Sequence, residues 1–172
     1  MKKLLAVALV LIVSVGAVFA QTDIKFALGV KNTGMDVEIV KPEHMDTNSE
    51  FNFALDTELD LFFKDGIGMN VIFATEQFER FTLGAGFAYN LVINPNWEFV
   101  VSVGPMFGFG ESQSTFGLFA HVDFDFLAGK SFFARLGTGF DMEFVQFGGK
   151  RDTTSNFLMT IPLPRVSIGW KF

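Results

Sequence analysis

From residue 51 onward the chain alternates apolar and polar side chains with a period of two. In "FNFALDTELDLFF" (51–63), Phe51, Phe53, Leu55, Thr57, Leu59, Leu61 and Phe63 fall on one face. Asn52, Ala54, Asp56, Glu58 and Asp60 fall on the other. Successive side chains of a strand point to opposite faces, so this stretch predicts a strand with one apolar side. The same alternation predicts seven more strands: 24–31, 67–73, 81–91, 97–103, 116–126, 132–144 and 165–172. In that frame the apolar face has 42 positions, of which only Thr57 and Thr138 are not apolar and none is charged. The opposite face carries Lys25, Asp56, Glu58, Asp60, Glu98, Asp123, Asp125, Arg135, Asp141, Glu143, Arg165 and Lys171, together with most of the strand glycines.

Two closed sheets fit such a pattern, and they differ in which face is inside. A soluble barrel would turn the apolar face inward, but so many aromatic rings overfill an eight-stranded lumen. Turned the other way, small and charged residues fill the lumen and the aromatics meet lipid. Segments of about ten residues with this alternation, separated by turns, mark a transmembrane β-barrel. The fold class expected is therefore all-β, an eight-stranded antiparallel up-and-down transmembrane β-barrel. Closure satisfies every backbone group within hydrocarbon.

Connection lengths agree. Residues 64–66 ("KDG"), 92–96 ("VINPN") and 127–131 ("LAGKS") are short and carry Gly or Pro turn chemistry, whereas 32–50, 74–80, 104–115 and 145–160 are longer. Short and long alternate, as periplasmic turns and external loops do in bacterial barrels. Tyr89, Trp97 and Trp170 all fall at the periplasmic interface of this scheme, where amphipathic rings belong.

The N-terminus changes the picture of where the chain goes. Met1, Lys2 and Lys3 precede an apolar stretch, Leu4 to Phe19, with Val18 and Ala20 as the small residues of a cleavage site. That is a signal-peptide layout, giving residues 1–20 as leader and 21–172 as one barrel domain. A membrane helix is the alternative, but the stretch is short and lacks a basic flank. Without the two leader lysines, 11 Lys and Arg remain against 19 Asp and Glu, a formal charge of −8. So acidic a chain offers no electrostatic footprint for nucleic acid. Cysteine is absent, which excludes disulfides and cysteine lipidation.

Candidate chemistry lies on the polar face. Asp56, Glu58, Asp60, Asp123, Asp125, Arg135, Asp141, Glu143 and Arg165 are expected to form a lumen charge network that plugs the barrel, the competing readings being cation conduction or an acid–base pair. Arg135 is expected roughly opposite Asp123, with Arg165 reaching Asp141. His44 and His121 lack ligand spacing, so no metal site is expected, and no cofactor. "GFGES" (108–112) precedes no helix and is no phosphate loop. Loops 32–50 and 145–160 are where an extracellular ligand would be met, and "VEIV" (37–40) would extend the first strand.

Across the mature chain the architecture resembles the small eight-stranded outer-membrane barrels, such as the OmpA transmembrane domain, OmpX and OmpW. The most specific element is the ending, Val166, Ile168, Trp170 and Phe172 at alternate positions with Phe last. By resemblance this is an assembly signal, which implies the barrel-assembly machinery and outer-membrane lipid as partners and the bacterial outer membrane as destination. The resemblance implies a non-enzymatic surface or structural protein, monomeric, with adhesion or ligand contact through its loops. A narrow porin or an OmpW-like channel for small molecules is the alternative. Some such barrels are lipid-modifying hydrolases, but no serine lies at the right face and depth beside His121.

Overall fold

The computed structural model describes residues 23–41, 44–49, 51–63, 65–76, 79–110, 114–147 and 157–172; the expected leader, 1–20, lies outside them. Described residues form β1 (Asp23–Asn32), β2 (Met35–Lys41), β3 (His44–Ser49), β4 (Phe53–Phe62), β5 (Ile67–Glu76), β6 (Arg80–Asn94), β7 (Trp97–Gly110), β8 (Ser114–Ala128), β9 (Phe132–Phe147), β10 (Phe157–Thr160) and β11 (Arg165–Lys171). Every pairing is antiparallel. The order β11-β1-β4-β5-β6-β7-β8-β9, with β9 returning to β11, closes an eight-stranded barrel.

The pleat sorts the side chains as the alternation requires. All 42 positions of the apolar face are exposed or half-buried, while Asp56, Glu58, Asp60, Asp123, Asp125, Arg135 and Arg165 are buried inside. No helix occurs among the described residues, and the exposed belt is Phe, Leu, Val and Ile with few polar interruptions. An exposed apolar band of this extent is stable only against lipid. Cross-strand ring pairs stiffen it, including Phe99–Phe124 at 4.8 Å and Phe107–Phe116 at 5.0 Å between ring centres.

The structure corrects several sequence expectations. The lumen is not filled by small and charged residues alone. Phe62, Phe119 and Phe133 turn inward with Ile72, Val100, Met106 and Leu127 as three small apolar clusters. Glycines make room for them: a Cβ on Gly84 would stand 2.7 Å from Ile72 and 2.9 Å from Phe119. The expected connection 104–115 is mostly strand, since β7 runs to Gly110 and β8 begins at Ser114. Likewise β6 runs through Asn94, leaving Pro95 and Asn96 as the turn. Longer strands let the barrel wall extend past the bilayer core, where alternation no longer needs an apolar partner to persist.

At the end opposite the chain termini the wall divides. The lower part of β9 pairs with β11 (Arg165↔Gly137), and its upper part pairs with β10 (Thr160↔Asp141). β10 in turn pairs with β2, and β2 with β3. Much of the expected first loop is therefore sheet, with β2 continuing β1 as "VEIV" suggested. Three chain interruptions (33–34, 51–52 and 161–164) meet at one level, and buried Asn32 joins them. Its Oδ1 accepts from the Gly34 and Asn52 N–H groups, each at 3.1 Å. Its Nδ2 donates to the Leu163 carbonyl at 3.1 Å, and its own N–H donates to the Pro164 carbonyl at 3.0 Å.

Candidate functional site

The barrel wall brings side chains from seven strands into one charged lumen. At the end nearest the termini, Lys25 donates to Asp125 at 2.7 Å and pairs with Glu98. The Phe62 and Phe133 rings hold its ammonium at 5.5 and 5.6 Å from their centres. Aromatic faces and carboxylates together compensate an ammonium that is 1 % exposed. Lys171 continues the chain to Glu98 at 3.2 Å and Asp23 at 3.0 Å.

Arg135 and Arg165 occupy the centre. Arg135 bonds Asp125 through Nε at 2.7 Å and Asp60 through Nη2 at 2.8 Å, and it also reaches Glu58. Arg165 bonds Asp123 at 3.0 Å and Asp56 at 3.0 Å and shares Glu58. The planar guanidinium fork suits this bridging between several carboxylates. Higher up, Asp141 takes Lys31 at 2.6 Å and His121 Nε2 at 2.7 Å. Arg80 crosses the mouth to Glu143.

Thus the expected polar-face residues do converge, but with different partners. Arg135 faces Asp125 in the ladder, and Asp123 faces Gly137. The loop is Gly129-Lys130-Ser131, with Gly129 at φ +88°, so the hairpin centres on 130. Centring it on 129, as the five-residue "LAGKS" suggests, slips the pairing by two. Arg165 consequently lies beside Asp123 and Asp56, and Asp141 goes to Lys31 and His121. Lys31, Arg80 and Glu76 were missed as site residues, although each keeps the polar-face parity of its strand.

The remaining expected positions lie on the outside. Tyr89, Trp97 and Trp170 are exposed toward the end with the short turns. Trp97 packs on Phe126 at 4.9 Å between ring centres, and Trp170 meets Phe132 edge-on at 5.9 Å. Val166, Ile168, Trp170 and Phe172 all project outward from β11, which closes the ring against β1 with Phe26↔Trp170 and Val30↔Val166 in register. Part of loop 32–50 and residues 148–156 of loop 145–160 lie outside the described residues, as does the side chain of His44.

Solved structures share this ring of eight strands. Neisserial surface protein A (NspA) is similar over 88% of this chain and 97% of its own, at 10% identity and a TM-score of 0.55. The chain has the fold of the small outer-membrane barrels. OprG from Pseudomonas aeruginosa shares this barrel fold over 87% of the chain and 95% of its own, at 12% identity and a TM-score of 0.55. Ail, the attachment invasion locus protein of Yersinia pestis, does so over 88% and 99%, at 14% identity and a TM-score of 0.50. In sequence the barrel matches no protein-family model and none of the curated proteins.

Proposed function

We propose that the chain is an exported protein of the bacterial outer membrane whose lumen is sealed and whose work is done at the surface. Contact is made through the segments 32–50 and 145–160, carried above the barrel by β2, β3 and β10. The observation that carries the reading is the filled lumen, in which Lys25 is clamped between two phenyl rings and Arg135 and Arg165 are each bound by three carboxylates. A buried network with this many partners blocks solute passage and stiffens the barrel. Both nitrogens of His121 face carboxylates, Asp141 at 2.7 Å and Glu58 at 3.9 Å, which supports a structural rather than a hydrolytic role. Outer-membrane lipid and the assembly machinery are the partners in this reading, and the barrel is a monomer.

The surface chemistry sets the kind of ligand. Ail has been solved with the heparin analogue sucrose octasulfate. Segment 32–50 of this chain holds five acidic residues and one lysine, Lys41, so polyanions are disfavoured there and neutral or cationic ligands are favoured. Purified barrel in planar bilayers should give no reproducible single-channel steps; regular steps would overturn the sealed-lumen reading.

A second reading, a narrow route for small apolar molecules, is favoured by one feature. The ladder lapses between Thr160↔Asp141 and Arg165↔Gly137, where Ile161–Pro164 intervene. An apolar recess of about 240 Å³, bordered by Val103, Ala120, Phe140 and Ile161, opens on the lipid side there.

A further inference from the structure

The mouth opposite the chain termini holds a cavity of about 250 Å³. Its wall includes two matched ion pairs, Lys31 with Asp141 at 2.6 Å and Arg80 with Glu143. A fifth charge, Glu76, lines the same space without a cationic partner among the described residues. Its hydrogen bond comes from the neutral Thr33 hydroxyl, at 2.8 Å. Arg80 stands opposite Glu76 in the ladder, yet its guanidinium turns across the mouth to Glu143. Among the described residues the cavity is therefore short of one positive charge.

The lumen beneath deepens that deficit. Below those two pairs, six buried carboxylates (Asp56, Glu58, Asp60, Glu98, Asp123 and Asp125) face four Lys or Arg side chains: Lys25, Arg135, Arg165 and Lys171. A walled cleft with one sign of excess charge focuses counter-ions toward its mouth. The cavity also has an apolar side, where Ala54, Ala74 and Met106 are each nearly fully buried. A bare metal ion would leave that side unused, and no cluster of three metal-ligating side chains occurs among the described residues. An anion would meet cations already committed to carboxylates.

We propose that this vestibule binds a small organic cation, a primary ammonium or guanidinium on a short hydrocarbon chain. The cationic head sits on the Glu76 carboxylate, and the hydrocarbon lies against Ala54, Ala74 and Met106. The vestibule and the charge excess beneath it define the site, which stands whether or not the lumen conducts.

The test uses the whole barrel in detergent, with n-butylammonium as probe and n-butanol and butyrate as matched controls, followed by ligand-observed NMR. Saturable binding of n-butylammonium that weakens with salt is expected, with none for butyrate and little for n-butanol. Glu76→Gln keeps the hydrogen-bonding shape and should weaken binding about tenfold or more, the worth of one hydrogen bond to a charged group. Ala74→Leu should fill the apolar side and abolish binding while leaving every charge in place. Both variants must keep the gel-mobility shift on heating, which certifies a closed barrel. Absence of saturable n-butylammonium binding, equal binding by Glu76→Gln, or equal binding of butyrate would each overturn the proposal.

Discussion

Arg135→Ala tests the lumen most directly. The guanidinium is 2 % exposed and holds Asp125, Asp60 and Glu58 while lying 5.3 Å from the Phe133 ring centre. Its removal leaves Asp60 with no cation among the described residues and takes one of two from Asp125 and from Glu58, in a space that already carries more acids than bases. Breaking a buried pair by deleting one partner costs about 3–5 kcal/mol, because the remaining charge is left uncompensated. With a midpoint shift of about 2–4 °C per kcal/mol in a chain of this length, the unfolding midpoint should fall by roughly 10 °C. The loss is read as the temperature at which heated samples change gel mobility and as the tryptophan fluorescence transition. Arg135→Met should fare little better, since it restores volume without charge. Adding Asp60→Asn and Asp125→Asn to Arg135→Met should recover much of the loss, because two of the three charges that lost Arg135 are then gone and Glu58 keeps Arg165. The vacated centre should also admit small cations, seen as conductance steps absent in the parent. An Arg135→Ala barrel with an unchanged midpoint and silent bilayers would refute the role given to the network.

Two further outcomes follow from the belt and the packing. Val103→Arg, at an exposed position in the middle of β7, should cost about 2–4 kcal/mol in urea unfolding from vesicles, and Ile67→Arg, on the same outer face beside a short turn, only about 0–1 kcal/mol. Equal costs would mean that the belt does not lie across the bilayer as drawn. Gly84→Val should destabilise the barrel by about 1–3 kcal/mol through collision with Ile72 and Phe119, and Ile72→Ala in the same chain should relieve part of it. No relief would place the strain elsewhere.

Much of this was legible because strand parity is absolute. Once Phe53, Leu55 and Leu59 face out, Asp56, Glu58 and Asp60 must face in, whatever the barrel does elsewhere. Partner choice was less legible, since it depends on turn length to within a residue: Asp123 and Asp125 share a face, and only the Gly129 turn decides which of them meets Arg135. The inward Phe62, Phe119 and Phe133 also keep parity, yet composition alone assigns Phe to lipid. Their placement follows from the space left by glycines on neighbouring strands, a three-dimensional fact. The vestibule needed more still, because Arg80 bypasses its ladder neighbour Glu76 for Glu143 on the far side of the mouth.

Asn32 has a consequence beyond stability. The backbone and side-chain bonds of this one buried residue gather the places where β1, β4 and β11 give way to the sheet above them. A surface structure moored in this way meets the membrane body at a narrow, chemically simple joint. New sequence can be exchanged above the joint, for instance by grafting at the bench, without renegotiating the packing below.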